Sequence, residues 1–146
     1  MSAETPMVLQ VKRKFSASPE RVFDAWLDPK IACRFLFATP GGQMVRTDID
    51  ARVGGKFVLT DRRDGQDIEH VGEYLEIDRP RRLVFSFGVP KFSPDMSVVK
   101  IDIVPVGTGC ELTLTHEKVL PEWASRTREG WGKILDALAG AVEAPV

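Results

Sequence analysis

His116 is the titratable side chain that the sequence most clearly directs into the interior. It lies in the segment CELTLTHEK and has the strand phase of Leu112 and Leu114, so we expect it to face inward. An inward histidine can bind a polar ligand group or act as a general base. No nucleophile or partner acid is identifiable, so a core histidine hydrogen-bonded to the backbone is the simpler interpretation.

Glu73 has two alternative orientations in the segment IEHVGEYLEID. Regular alternation gives Glu73 the phase of Leu75, and a carboxyl group buried there would have a raised pKa. Gly72 beside it is a candidate β-bulge, which would instead turn Tyr74 and Glu76 inward. An exposed glutamate is the ordinary alternative, because buried carboxylates are rare.

Trp131 stands between Gly130 and Gly132 in a predicted helix. Each glycine costs about 1 kcal/mol relative to alanine in a helix. We therefore expect a compensating reason: a close approach of the helix to the sheet, a kink, or space for a ligand. Trp123 lies two turns earlier on the same helix face and is a candidate for the entrance of a cavity.

The sequence predicts no metal, no cofactor and no catalytic residue. His70 and His116 are far apart and lack further ligands at helical or loop spacing. The segments PGGQ and VGGK are isolated glycine pairs without a phosphate-loop context, and GxSxG is absent. Cys33 and Cys110 lack CxxC spacing, so free thiols are expected, with a disulfide as the alternative. Pairing either thiol with His116 for nucleophilic catalysis has no support in the sequence.

The bulk properties predict an ordinary cytoplasmic protein. We expect one domain over residues 1–146, with its core at about 7–143. The net charge of -1 provides no field that would attract nucleic acid or anionic lipid. Neither a signal peptide nor a membrane span is recognisable, so no membrane insertion is expected. A monomer or a homodimer is compatible with this composition.

The elements that position these residues begin with a strand from Met7 to Phe15. Ser18 is a good helix N-cap and Pro19 suits the first helical position, while Pro29 ends this first helix. Its apolar face is expected to close one end of a sheet; the residues are Val22, Phe23, Trp26 and Leu27. A second short helix follows in KIACRFLFATP, and Pro40-Gly41-Gly42 ends it.

Strand follows strand from Gln43 to Lys118. Asp64-Gly65 is the strongest hairpin signal. Alternation places three sets on inward faces: Leu83, Phe85 and Phe87; Val99, Ile101 and Ile103; Cys110, Leu112, Leu114 and His116. From Pro121 to about Glu143 the apolar spacing changes to three and four, which predicts one long amphipathic helix. An α+β fold follows: a curved antiparallel sheet of about seven strands around the long C-terminal helix.

This order of elements resembles the helix-grip fold of the START-like (SRPBCC) superfamily, and specifically its AHSA-like family. The resemblance covers roughly Met7 to Val142 and is carried by SASPERVFDAWLDP, RVGGKFVLT, HVGEYLEIDRPRRLVFSF, GTGCELTLTHE and EGWGKILDAL. The family is named for activators of the ATPase of the ninety-kilodalton heat-shock protein. CRFLFATP differs from the Trp-rich segment that the family often has at this place. We also expect no counterpart of the additional N-terminal domain of the eukaryotic co-chaperones, so chaperone activation does not transfer directly from the resemblance.

The resemblance implies a cavity between the sheet and the long helix, which suits an apolar or amphipathic small molecule. The alternative is a protein-interaction module that contacts a chaperone or another protein, and the second alternative is an enzyme of the cyclase or hydrolase type. The residues expected to line the cavity are Glu73, Tyr74, Phe85, Phe87, Ile101, Leu114, His116, Trp123, Thr127, Trp131 and Leu135.

Overall fold

A computed structural model describes residues 7–36, 43–90, 96–119 and 124–143. The elements are β1 (Met7–Phe15), α1 (Pro19–Leu27), α2 (Pro29–Phe35), β2 (Gln43–Ile49), β3 (Lys56–Arg63), β4 (Gln66–Asp78), β5 (Arg82–Phe87), β6 (Ser97–Val106), β7 (Gly109–Val119) and α3 (Ala124–Val142). The predicted α+β class, with seven strands, two short helices and one long C-terminal helix, is confirmed.

The two short helices are delimited by capping side chains. The Ser18 hydroxyl accepts a hydrogen bond from the Arg21 amide at 3.2 Å, which satisfies one orphan donor of α1. Asp28 ends α1, and its carboxylate accepts from the Lys30 amide at 3.0 Å as the N-cap of α2. The boundaries of α1 are the predicted ones, whereas α2 begins at Pro29 and ends at Phe35, earlier than the segment KIACRFLFATP indicated. The segment Pro40-Gly41-Gly42, predicted to follow α2, lies outside the described residues.

The strands form one antiparallel sheet in the order β1-β7-β6-β5-β4-β3-β2. The middle strands are joined as hairpins, and the turn between β3 and β4 is the predicted one, with φ of 50° at Asp64 and 78° at Gly65. The first strand pairs with the last, for example Val11 with Leu114. This pairing brings β1 beside α3, which contacts it along with α1 and α2.

Gly72 marks a close approach of two strands and is not the site of a bulge. Tyr74 is nevertheless buried, as the bulge alternative expected, whereas Glu76 is exposed. The pairing of β4 with β3 runs regularly through Gly72, and the register shift against β5 lies further on, between Tyr74 and Glu76. A Cβ at Gly72 would lie 1.9 Å from the carbonyl oxygen of Ser86 and 2.5 Å from the Phe57 ring. Glycine is needed here because the backbone and an aromatic ring occupy the space of a side chain.

The core lies between the inner face of the sheet and the helices. The predicted inward sets of β6 and β7 are buried, and so are Leu83 and Phe85 of β5, while Phe87 is half-buried. The long helix contributes a complementary face, formed by Trp131, Leu135, Leu138, Ala139 and Val142. The curved sheet therefore encloses α3, as the sequence predicts.

The glycines of α3 are not explained by a close approach to the sheet. Among the described residues, nothing lies within 4 Å of a Cβ built at Gly130 or Gly132. That part of the sequence-based expectation is therefore wrong, and both positions have space for a larger side chain.

Candidate functional site

An aromatic cluster lies in the interior where α1, the sheet and α3 meet. Its members are Trp26, Phe57, Tyr74, Phe85, Phe87 and Trp131. Trp131 of α3 is central, with ring centroids 6.4 Å from Trp26 and 6.1 Å from Phe87. Phe85 connects Trp26 to Phe57, at 6.5 and 5.4 Å. Alternation along β4 and β5, together with the periodicity of α3, brings these rings to one place.

His116 joins this cluster to a chain of hydrogen bonds. Its ring lies 5.8 Å from Trp131 and 5.7 Å from Phe87, both edge to face. Trp131 Nε1 lies 2.9 Å from His116 Nδ1, and His116 Nε2 lies 2.6 Å from the Ser97 hydroxyl oxygen. That hydroxyl is 3.1 Å from the carbonyl oxygen of Phe87. The chain therefore links α3, β7, β6 and the end of β5.

The donors and acceptors allow one proton arrangement in this chain. An indole N–H can only donate, so His116 Nδ1 must accept and is unprotonated. The Phe87 carbonyl can only accept, so the Ser97 hydroxyl donates to it. His116 Nε2 then carries the proton and donates to Ser97. The histidine is neutral, with its tautomer set by Trp131.

This tautomer is the reverse of the one that activates a serine nucleophile. A general base must accept the hydroxyl proton on the nitrogen that faces the serine, and a third group usually accepts from the other nitrogen. In this protein the facing nitrogen, Nε2 of His116, is the protonated one, and Trp131 donates where an acid would accept. The short Ser97–His116 contact is therefore a structural link and is not arranged for acyl transfer.

Burial reinforces the neutral state of His116. The residue is 4% exposed, and desolvation lowers its pKa to about 4. A proton on Nδ1 would also displace the hydrogen bond from Trp131. His116 is consequently uncharged across the physiological pH range.

His70 lies on the other side of Phe87, and the sequence interpretation missed it as a site residue. Its ring stacks on Phe87, with centroids 6.1 Å apart and planes 14° apart. His70 Nδ1 donates to the Leu59 carbonyl at 3.2 Å, and the residue is 6% exposed. The alternation of Ile68, His70 and Tyr74 was the available signal. Phe87 is thus held between two buried histidines.

Ser97 is the second residue that the sequence interpretation missed. It shares strand phase with Val99 and Ile101, so its side chain points to the same inner face. The inward set named from the sequence begins at Val99, although the same alternation, extended by one step, includes Ser97.

The predicted cavity-lining residues separate into four groups. Tyr74, Phe85, Phe87, His116 and Trp131 are brought together as described, whereas Ile101, Leu114 and Leu135 are fully buried core residues. Thr127 is half-buried in the first turns of α3. Glu73 lies on the opposite face of β4 from Tyr74 and is half-buried. Trp123 lies outside the described residues.

The remaining titratable candidates have inert environments. Burial, followed by the nearby Asp50 charge, raises the pKa of Tyr74, which stays a neutral phenol. Burial likewise raises the pKa of the free Cys110 thiol. Cys110 is six residues from His116 on β7, about 20 Å along an extended strand, so the two cannot form a nucleophile–base pair.

A surface pocket lies away from the aromatic cluster, and the described residues form no metal site. A surface pocket of about 490 Å³ lies at the Cys110 end of the sheet, lined by Lys14, Phe15, Ser16, Val106, Thr108, Gly109, Cys110 and Glu143. Within the described ranges, no group of three or more His, Cys, Asp or Glu residues could hold a metal ion. No described helix is long and apolar enough to cross a membrane.

Comparison with known proteins gives the family. The family model described as "Activator of Hsp90 ATPase homolog 1-like protein" matches residues 16–143. No curated protein matches the chain. Among solved structures, CV1439 of Chromobacterium violaceum is 27% identical, with a TM-score of 0.86 over 94% of this chain and 98% of that one.

Two further solved structures support the fold. Mll3558 of Rhizobium loti is 25% identical, with a TM-score of 0.80 over 96% of this chain and 99% of its own. CalU16 of Micromonospora echinospora is 23% identical, with a TM-score of 0.72 over 94% of this chain and 76% of its own. The chain therefore belongs to the family of Activator of Hsp90 ATPase homolog 1-like proteins and has the START-like helix-grip fold.

Proposed function

We propose that this protein binds a small apolar or amphipathic molecule between the inner face of the sheet and α3. The observation that carries the proposal is the aromatic cluster, which meets two buried histidines at Phe87. Binding sites for small molecules are mostly apolar and aromatic, with a few polar groups that orient the ligand. A helix-grip domain offers such a site between its sheet and its long helix.

The proton arrangement favours binding over catalysis. Ser97 and His116 are the pair beside the cluster that most resembles a nucleophile and its base, and their hydrogen bonds run opposite to those of an activated serine. A neutral histidine whose two ring nitrogens are both hydrogen-bonded within the protein adds no charge to the wall of an apolar binding site.

A chaperone-like partner is the alternative that the family description suggests. A partner surface usually requires a contiguous exposed apolar patch of several hundred Å². Among the described residues, the large apolar side chains that are exposed are distributed from one edge strand to the other: Val8, Val45, Val53, Leu75, Met96, Val104 and Val106. This distribution supports the interior of the protein as the functional site.

Native mass spectrometry of protein purified from its own host tests the proposal. The expected result is a bound small molecule, and the melting temperature should rise with lipid or aromatic compounds in a thermal-shift screen. Phe87→Glu introduces a charge at a half-buried interior position, and Val104→Glu is the matched control on the outer face. The bound mass should disappear only in Phe87→Glu.

Two results would contradict the proposed binding function or the proposed position of the ligand. A protein without any bound mass, whose melting temperature no compound raises, would not be a small-molecule binder. Retention of the bound mass in folded Phe87→Glu would place the ligand outside the aromatic cluster.

A further inference from the structure

Trp26 carries an unused hydrogen-bond donor inside the aromatic cluster. The residue is 1% exposed, and its ring lies against Phe35, Phe85 and Trp131, at 5.3, 6.5 and 6.4 Å. Its Nε1 is buried, and no residue in the part of the chain that the structure describes accepts a hydrogen bond from it. The donor is therefore buried among the rings beside which the proposed ligand would bind.

A buried indole N–H without an acceptor is unusual in a folded protein. More than nine-tenths of buried polar groups have a partner, because the desolvation of an unpaired group is not recovered elsewhere. The second buried tryptophan of the cluster follows this rule, since Trp131 donates to His116 at 2.9 Å. Phenylalanine at position 26 would provide an apolar ring without an unpaired donor. The N–H of Trp26 consequently calls for an acceptor that none of the described residues supplies.

The neighbouring polar groups restrict the charge of that acceptor. His116 uses both ring nitrogens, and the Ser97 hydroxyl donates to Phe87. The buried polar side chains of the described residues are Thr60, Asp61, His70 and His116, and none of them is a lysine or arginine. A carboxylate beside Trp26 would lie in a dry interior without a cation to neutralise it.

We propose that Trp26 Nε1 donates a hydrogen bond to a neutral oxygen acceptor of the bound molecule. The ligand class is an apolar ring or chain with a ketone, ester or ether oxygen; pure hydrocarbons and carboxylates are poorer ligands. This inference rests on the proposed binding function, to which it adds the chemistry of one contact.

Three small bicyclic probes test the contact: 1-indanone, indane and indane-1-carboxylate. They have similar shapes and differ in offering a neutral acceptor, no acceptor or a charged acceptor. Each is titrated into ¹⁵N-labelled protein while the indole N–H signals are followed by NMR. The sequence has three tryptophans, and the signal that Trp26→Phe removes belongs to Trp26.

The proposal predicts a distinct result for each probe. Indanone should move the Trp26 indole proton downfield, whereas indane should not. Trp26→Phe should weaken indanone binding about tenfold, as expected for one lost hydrogen bond, and change indane binding less than about twofold. Trp131→Phe is the matched control, because its N–H is already donated to His116; it should alter the affinities for both probes by the same factor.

Several results would overturn the proposal. If indanone and indane bind equally well and lose the same affinity in Trp26→Phe, the N–H makes no contact with the ligand. If the carboxylate binds as tightly as the ketone, the acceptor is not restricted to neutral groups. Binding of none of the probes would count against the binding function itself as well as this contact. If Trp26→Phe fails to fold, Trp123→Phe and Trp131→Phe assign the remaining indole signal to Trp26 by elimination, and its shift in the unmodified protein is then decisive.

Discussion

Trp131 determines which ring nitrogen of His116 carries the proton. The resulting chain of hydrogen bonds links the long helix to three strands. Because the indole is a donor only, it selects the tautomer whose remaining proton reaches Ser97. Each hydrogen bond of such a chain contributes about 0.5–1.5 kcal/mol to stability. The larger consequence is the cost of protonating the histidine, since a second ring proton has no acceptor in this chain.

Because of His116, the free energy of unfolding should therefore decrease as the pH is lowered. Its pKa is near 6.5 in an unfolded chain and is lowered to about 4 in the fold, so the unfolded state binds more protons between these values. The stabilisation is complete above pH 6.5 and is lost as the pH falls towards 4, by about 3 kcal/mol if the whole shift is realised. Urea denaturation at pH 7 and at pH 4.5 measures this loss.

His116→Gln separates this effect from the titration of carboxylates. Glutamine can accept from Trp131 and donate to Ser97 without titrating in this range. The variant should lose less stability between pH 7 and pH 4.5 than the unmodified protein. Equal losses in both proteins would show that His116 is not the group that titrates.

Sequence patterns predict where single residues point better than what they bind. Alternation correctly predicted that His116 faces inward, because a strand has a period of two. Its bond to Ser97 was not predictable, since it depends on the register of β6 against β7. The sequence likewise does not reveal that the Trp26 N–H lacks an acceptor among the described residues. An amphipathic pattern predicts that a side chain is buried and does not predict its hydrogen-bond partners.

At the scale of an element, glycines of β4 and α3 should respond oppositely to alanine. Gly72→Ala places a methyl group 1.9 Å from the Ser86 carbonyl, so backbone must move, and we expect a loss of at least about 3 kcal/mol. Gly130→Ala meets nothing among the described residues and should stabilise α3 by about 1 kcal/mol. Chemical denaturation compares the two variants. A stabilised Gly72→Ala would show that β4 and β5 do not approach so closely.

The position of the bulge in β4 shows why element boundaries are easier to predict than strand irregularities. The caps of α1 are local, so Ser18 and Asp28 are recognisable from the sequence. The register shift between Tyr74 and Glu76 is a property of the pair of strands β4 and β5. A glycine in one strand does not reveal whether an extra residue or a neighbouring backbone requires it.

α1 should be held mainly by the Trp26 ring. The helix also has an ion pair, Asp24 with Arg79 at 2.7 Å, whose hydrogen bond lowers the pKa of Asp24. Both partners are about half exposed, so the pair adds little stability. Trp26→Ala should cost about 3–5 kcal/mol, and Arg21→Ala on the exposed side is the control with an effect below about 0.5 kcal/mol. A loss under about 1 kcal/mol for Trp26→Ala would mean that α1 packs by another face.

At the scale of the whole molecule, the first strand and the last helix pack against each other and belong to the same core. β1 pairs with β7, and α3 lies against β1 and both short helices. The Ser16 amide donates to the Glu143 carboxylate at 2.7 Å, which joins the end of β1 to the residue after α3. The helix and sheet therefore share one core, so neither can be removed without exposing the aromatic cluster.

This shared core predicts that α3 and the central strands unfold together. Native-state hydrogen exchange should give the buried amides of α3 and those of β6 and β7 the same free energy of opening. Leu138→Ala, at a fully buried position of α3, should lower both values equally, by about 2–5 kcal/mol. If the α3 amides opened at lower free energy while the strands stayed protected, the helix would be a separate unit that can lift from the sheet. The interior would then admit ligands through helix motion without global unfolding.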